Sequence, residues 1–356
     1  MTGLLEVPED GRILVVRLSA LGDIVFALPA LRALREARPA AHLAWLVEDR
    51  HAALLEHHPA IDELMVFPRR EFRGGRGLPS MLRHLRSLRR APRWDLTLDL
   101  QSNLKSVLQL RWTRAACRAG FDRPVAREGA WRFHRLRCAP PPRAHRSARD
   151  LALVAATGLV EGSDAVVRRW TQTPDRWALP APVVEAVDAV DAPDVLLHVT
   201  TTAYGRDKEW PAERWAALAR LLRARGRRPA ALWTPADRPK VDAVVDAADG
   251  ALELASATPS LAHLMALCDR AALLVGTDSG PVHLAAHRGT SVVALFGATD
   301  PQVYAPPGPA VRVVYPGNDG EAPPKRDRTR RSPWMERIAV ENVAAAADEA
   351  LSAAEA

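Results

Sequence analysis

A chain of 356 residues with 48% hydrophobic and 26% charged side chains has the balance of an ordinary folded protein and is long enough for about two domains. That composition excludes wholesale disorder, and no run reaches the ~18 apolar residues of a membrane-spanning helix. A net charge of +7 points to an anionic partner, whether nucleic acid, acidic headgroups or a phosphorylated substrate.

Residues 12–17 (RILVVR) predict a buried strand, followed by a turn at 18–22 and a helix from about Asp23, where Leu28, Leu31 and Leu34 recur at helical spacing. Further strands are predicted at 41–47, 63–67 and 96–100, the last leading to a helix at 104–110. Strand alternating with helix predicts a parallel sheet covered on both faces. Residues 69–149 are strongly basic, with 21 Arg and Lys against five Asp and Glu. Within them, 81–90 is amphipathic, with Leu82, Leu85 and Leu88 on one side and Arg83, Arg86 and Arg89 beside them. A single charge run of this kind is ordinarily a solvated helix face. The imbalance over the whole region is also what contact with an anionic surface requires.

Residues 171–193, rich in Pro, Asp and Ala, read as a linker, after which the pattern restarts. Strands are predicted at 195–199, 229–233, 272–276 and 292–296, and helices at 215–223, 261–267 and 281–287. The expected layout is a first domain at 1–175, a linker at 176–193, a second domain at 194–335 and a final helix at 336–356. Two doubly wound, Rossmann-like α/β halves are expected to face each other across a cleft, with ligands outside the carboxyl ends of the strands.

The three cysteines, Cys117, Cys138 and Cys268, form no CxxC pair, so a zinc or redox motif has no support. So few thiols in so long a chain suit a reducing compartment. Residues 1–11 carry acidic side chains before any basic one and no long apolar run, which is not the pattern of a secretory signal. The expectation is a cytoplasmic protein that meets a membrane only peripherally.

Four turns at strand ends carry groups suited to chemistry. The sharpest is 275–286 (VGTDSGPVHLAA), where a strand ends at Gly276, Asp278 or Ser279 can cap the next helix, and Pro281 suits its first turn. The Ser279 and Gly280 amides then point out of the positive helix end, as phosphate binding needs, and His283 lies one turn inside. An ordinary capped helix with a satisfied histidine has the same pattern. Gly297 and Thr299 occupy the turn after the following strand. Glycine there admits a ligand close to the backbone and Thr299 adds a hydroxyl, although a Gly/Asp/Pro turn needs no ligand. Thr200, Thr201 and Thr202 follow the strand at 195–199, and Lys208 comes shortly after. Hydroxyls and an ammonium at a strand end suit a diphosphate, with Lys208 placed to offset charge on a departing phosphate; an exposed loop lysine is the plainer alternative. The fourth turn runs from Ser19 to Asp23. Gly22 gives it a tight bend, and Asp23 is either a helix cap or a carboxylate able to take a proton from an acceptor hydroxyl. The helix end lowers the Asp23 pKa and burial raises it, so the sequence leaves its direction open.

No G-x-G-x-x-G follows a strand, and no G-x-x-x-x-G-K-[ST], G-x-S-x-G or metal-ligand cluster appears. These absences weigh against nicotinamide or flavin enzymes, P-loop enzymes, α/β-hydrolases and metalloenzymes.

The four turns, in this order and spacing, resemble glycosyltransferase family nine, the bacterial lipopolysaccharide heptosyltransferases, over nearly the whole chain. Residues 12–23, continuing into Leu28, Pro29, Ala30 and Leu31, resemble the family's opening strand and catalytic turn. Asp95, Asp99, Gln101, Lys105 and Ser106 resemble its D-x-x-x-D-x-Q-x-x-x-K-S motif. Arg127 and Glu128, then His145 and Arg149, resemble its acceptor-side block. Lys208-Glu209-Trp210-Pro211, residues 278–283 and residues 297–301 resemble its donor-side motifs.

The resemblance implies a GT-B fold and an inverting reaction that uses no metal or other cofactor. It implies an ADP-sugar donor, typically ADP-L-glycero-β-D-manno-heptose, and as acceptor Kdo on lipid A or a heptose of the inner core. Asp23 is then the general base. Lys208 and the Ser279 and Gly280 amides hold the diphosphate, Asp278 and His283 bind donor sugar and phosphates, and Thr200, Thr201, Gly297 and Thr299 complete the donor side. Ser19, Gly22, Lys105, Arg127, His145 and Arg149 form the implied acceptor side. Such an acceptor places the basic N-terminal half on the cytoplasmic face of the inner membrane, with no nucleic acid as partner.

The sequence departs from the family pattern in three places. The loop at 200–208 is a few residues longer, which leaves open which threonine meets phosphate. The family's glutamate near the donor nucleoside has no clean counterpart, Asp237 being the nearest. Residues 318–333 lack the cysteines some members carry, so no metal or disulfide is expected there, while 334–338 (WMERI) still resemble the family. Two readings compete with a heptosyltransferase. One is a relative using another nucleotide sugar or acceptor. The other is a nucleic-acid-binding module built on 69–149, a region with few interleaved aromatics beyond Trp94, Trp112, Phe121, Trp131 and Phe133.

Overall fold

The computed structural model describes residues 6–72, 77–189, 193–318 and 320–355. Residues 1–5 of the expected leaderless start, 73–76 of the basic region, 190–192 of the expected linker, 319 and 356 lie outside the described residues. The chain divides into two compact units, Met1–Thr171 and Gln172–Ala356.

The first unit holds one parallel sheet of six strands: β1 (Arg12–Val16), β2 (His42–Glu48), β3 (Glu63–Phe67), β4 (Trp94–Asp99), β5 (Ala115–Phe121) and β6 (Leu136–Cys138). Their spatial order is β3-β2-β1-β4-β5-β6. The chain winds outward from β1 to β3, then returns to the other side of β1, so the order reverses between β1 and β4. Strands covered on both faces need apolar side chains in both directions, which is why β1 reads as a continuous run with Ile13 to Val16 all buried. The four expected strands match β1 to β4 within two residues. β5 and β6 were not expected. β5 reads Ala-Ala-Cys-Arg-Ala-Gly-Phe, poor in β-branched residues, and is a strand because it lies between β4 and β6. Its Gly120 leaves room for an imidazole, since a Cβ there would stand 2.2 to 2.4 Å from atoms of the His134 ring.

The second unit repeats the winding with β7 (Val195–His198), β8 (Pro229–Ala231), β9 (Glu253–Leu254), β10 (Leu273–Thr277), β11 (Ser291–Leu295) and β12 (Val311–Val314). Their order is β12-β11-β10-β7-β8-β9, again all parallel, with the reversal between β7 and β10. The expected C-terminal helix forms at Val340–Glu355 and buries Val343, Ala344, Ala347, Ala350 and Leu351 in this unit's core. The stretch expected as linker contains the helix Ala181–Asp188, tied down by Arg270, which donates to the Val187 carbonyl and pairs with Asp188.

Candidate active site

In the first unit, the carboxyl ends of β1 and β4 lie side by side, Val16 opposite Asp99. The chain leaves β1 through Arg17, Leu18 and Ser19 into the helix Leu21–Ala37, whose N-cap is Ala20. Asp23 is therefore the third helical residue and not the N-cap, and its carboxylate accepts from the Ala20 amide, so it also helps to close the helix start. Gly22 lies beside it in the same first turn. The Asp23 carboxylate accepts a 2.5 Å bond from Arg146, the first residue of the helix Arg146–Ala156. Arg17 donates two bonds to Asp150, at 2.9 and 3.0 Å, and both of these side chains are buried. Burial alone would raise the Asp23 pKa, but Arg146 and then Arg17 outweigh it and hold the carboxyl below its ordinary value. The pKa of Asp150 goes the other way, raised chiefly by burial despite Arg17. The direction the sequence left open is thus downward. Asp23 stands ionised with a third of its side chain exposed, able to accept a hydroxyl proton.

The motif at 95–106 is mostly a brace for this turn. Asp95 accepts from the Arg12 amide at 2.8 Å, tying β4 to the start of β1. Asp99, fully buried, accepts from the Gln101 and Ser102 amides and the Ser106 hydroxyl, and pairs with His134 at 3.1 Å. Gln101 turns its carbonyl oxygen to the Leu18 and Ser19 amides, at 2.8 and 3.3 Å. Lys105 reaches the Ser19 hydroxyl at 3.2 Å and the buried Glu48 carboxylate at 2.6 Å. Ser19, Lys105 and Asp23 thus share the carboxyl end of the β1/β4 reversal.

The remaining acceptor-side expectations fall into two groups. Arg127 presents an exposed side chain while its amide bonds the Ser102 carbonyl. His145 caps the helix that Arg146 opens, its Nδ1 accepting from the Ser147 amide, and its ring meets Phe26 edge-on at 5.4 Å. Arg149 donates to the Ala144 and Pro142 carbonyls, at 2.9 and 2.7 Å. His145 and Arg149 therefore shape the loop that delivers Arg146 to Asp23. Arg146 itself escaped the sequence reading, and its only signal there is its place inside the same basic block.

In the second unit, the carboxyl ends of β7 and β10 carry a polar cluster centred on Asp278. Lys208 donates to its Oδ2 at 2.6 Å and its carbonyl at 3.1 Å, Thr299 donates to Oδ2 at 2.7 Å, and His283 Nε2 lies 2.9 Å from Oδ1. Burial works to raise the Asp278 pKa, but Lys208 first and then His283 reverse it and hold the carboxyl well below the usual carboxylate range. Of the two expected caps, Asp278 lies outside the N-cap position. Ser279 occupies the N-cap position of the helix Gly280–Arg288 but makes no capping bond, because its hydroxyl pairs with His198 Nδ1 at 3.1 Å. Asp278 is held by Lys208, Thr299 and His283. The first-turn amides are left without a side-chain cap, the condition for receiving an anion. Burial pushes the His198 pKa down to about 4, so its imidazole is neutral at physiological pH.

Thr200 donates to Asp237 at 2.8 Å, and Asp237 also accepts from the Thr234 amide and hydroxyl. Thr201 folds back onto the Gly205 carbonyl. Gly297 has a packing reason, since a Cβ there would stand 2.8 Å from the Met335 amide nitrogen and sulfur. A further pair escaped the sequence reading. Buried Asp207, next to Lys208, is gripped by both arms of Arg326 at 2.6 and 2.9 Å. Residues 119 positions apart give no local signal of such a contact.

Two six-stranded parallel sheets of this winding make up the GT-B fold. Residues 81–335 match glycosyltransferase family 9 (heptosyltransferase). The chain is 30% identical to lipopolysaccharide heptosyltransferase 1 of Pseudomonas aeruginosa, over 82% of this chain and 79% of that protein. Its fold is similar to a family 9 glycosyltransferase of Veillonella parvula, with a TM-score of 0.79, 20% identity and coverage of 98% and 99%. It is similar also to the Escherichia coli heptosyltransferase WaaC with ADP-2-deoxy-2-fluoro heptose, with a TM-score of 0.73, 22% identity and coverage of 95% and 99%. The protein belongs to glycosyltransferase family 9, the heptosyltransferase family.

Proposed function

We propose that the protein transfers a heptose, with inversion and without a metal, from ADP-L-glycero-β-D-manno-heptose to a Kdo or heptose of the lipopolysaccharide inner core. Asp23 takes the proton of the acceptor hydroxyl as that oxygen bonds the anomeric carbon and the bond to ADP breaks. Lys208 and the uncapped amides at Ser279 and Gly280 take up the charge of the departing ADP. Ser19, Lys105 and Arg127 grip acidic groups of the acceptor. The observation that carries this reading is the partly exposed Asp23 carboxylate at the exit of β1, paired with Arg146 and held in its charged form by Arg146 and Arg17. The ADP-heptose analogue in the WaaC structure supports the choice of donor.

The acceptor is lipid-borne, and the helix Gly77–Arg90 suits a peripheral place on an anionic membrane surface. It exposes Leu78 and Leu82 and, with Val66, Arg83 and Arg86, lines a groove of about 980 Å³. Among the described residues no helix is long and apolar enough to cross a membrane. Mass spectrometry of the product formed from ADP-heptose and Kdo2-lipid A tests the assignment. Addition of one heptose is expected. No product from this pair, with turnover on another ADP-sugar or acceptor, would overturn it.

A further inference from the structure

The basic stretch of the first unit holds a cluster that the reaction above does not use. The guanidinium groups of Arg123, Arg132 and Arg137 lie over one indole, 4.2, 5.1 and 5.0 Å from the ring centroid of Trp131. An indole has two faces, so at least two of these cations share one. No two of the three guanidinium carbons are more than about 10 Å apart, close to the ~8 Å over which physiological salt screens a charge. Gathering three like charges is unfavourable unless an anion joins them.

Among the described residues no carboxylate does so. Four of the five acidic side chains of this stretch are engaged elsewhere: Asp95 with the Arg12 amide, Asp99 with Gln101, Ser102 and Ser106, Glu128 with the Leu104 amide, and Glu71 with Ser80; the fifth, Asp122, turns its carboxylate to the Arg123 amide and not to a guanidinium group. Arg137 gives its Nε to the His134 carbonyl, which orients the rest of its guanidinium, and all three arginines are exposed.

The position of the cluster narrows its ligand. Arg137 stands opposite Gly120 and Cys138 opposite Phe121, and the Asp122 amide bonds the Cys138 carbonyl. The cluster therefore sits at the carboxyl ends of β5 and β6, on the same sheet edge as Ser19 and Asp23. These strands are two and three places from β1, roughly 10–14 Å at the usual strand spacing. Arg127 lies just before the turn Ala130–Phe133 that carries Arg132. An anion held here belongs to the acceptor side, at a distance an oligosaccharide spans.

We propose that Arg123, Arg132, Arg137 and Trp131 form an anion subsite for a phosphoryl group carried by the acceptor glycolipid. Guanidinium forks match phosphoryl oxygens two at a time, and the indole face holds the cations in place. The proposal rests on the lipid-borne acceptor argued above. The test compares transfer to Kdo2-lipid A and to the same glycolipid with its phosphates removed, for the wild type and for the double variant Arg132→Gln/Arg137→Gln. For the wild type, removing the phosphates is expected to raise the acceptor KM about tenfold or more. The double variant is expected to lose that discrimination, with kcat and ADP affinity unchanged. A double variant that still prefers the phosphorylated acceptor as the wild type does would overturn the proposal alone. No transfer by the wild type to either glycolipid would overturn the acceptor reading, and the proposal with it. Vesicles of phosphatidylglycerol supply phosphate charge without the sugar. If they bind as tightly as vesicles containing lipid A, and lose binding in the double variant, the cluster is a general membrane contact and the proposal fails.

Discussion

Lys208 both neutralises Asp278 and, on the reading above, meets the donor diphosphate, and Lys208→Met separates the two roles. The ammonium stands 2.6 Å from Asp278 Oδ2, with the two side chains 19% and 5% exposed. Removing one partner of a buried pair costs about 3–5 kcal/mol, and because Thr299 and His283 still hold the same carboxylate, about 3 kcal/mol applies here. In a unit of this size that lowers Tm by roughly 6–12 °C. The sign with pH follows from Asp278. Its folded pKa is depressed, so the stability it contributes is present above the ordinary carboxylate value of about 4 and is lost as pH falls toward the folded value. The gap in Tm between variant and wild type is therefore full at pH 5–8 and narrows below about pH 4. Loss of a charge-assisted bond to the diphosphate is worth about 1.5–3 kcal/mol, or roughly 10- to 150-fold in ADP Kd. Calorimetric titration with ADP, run well below both midpoints, reads the second effect, and scanning calorimetry across pH reads the first. A variant that melts early yet binds ADP within twofold of the wild type would reduce Lys208 to a structural partner and refute the donor assignment.

Asp23→Asn keeps the size of the side chain and is expected to leave ADP affinity intact while lowering kcat by about 10²- to 10⁴-fold; normal turnover would remove the base assignment. Arg146→Gln takes away the chief cation opposing burial at Asp23, so the carboxyl pKa rises and the acid limb of kcat/KM moves to higher pH. An unshifted profile would show that the pair does not govern the reacting carboxylate. Gly120→Ala drives a methyl group into the His134 ring, which is also held by Asp99, and is expected to cost about 1–3 kcal/mol in a denaturant melt. An unchanged midpoint would mean that the ring can move aside.

What the sequence disclosed, and what it hid, follows from how each contact is made. Strands β1, β2, β10 and β11 are buried on both faces and must be runs of apolar residues, so they stand out. β5 is equally internal but built of small residues, with glycine where His134 needs the space, and nothing in its own composition marks it. β9 has two residues and β12 is only partly buried, too little for an alternation to show. The strand-end turns were legible because glycine, proline and a short polar side chain have local conformational reasons to be there. The partners that set their charge were not. Arg146 reaches Asp23 across 123 positions and Arg326 reaches Asp207 across 119, and only the winding of the sheets brings them together.

The two units use one winding for opposite electrostatic tasks. At the reversal between β1 and β4, the exposed group is a carboxylate kept ionised by arginines from β1's exit and from the helix at 146–156. At the reversal between β7 and β10, the group suited to a diphosphate is an ammonium, and the group that fixes it is a buried carboxylate with two further partners. In both, the acting charge is set by a counter-charge, so the balance of each pair matters as much as the acting residue. A proton acceptor held too strongly by its arginine is a weak base, and one released from it loses its charge as burial takes over. As the proposed base, Asp23 would work between those limits only while Arg146 and Arg17 stay paired as they are, and for that reason substitutions at the partner should alter pH dependence where substitutions at Asp23 itself lower the rate.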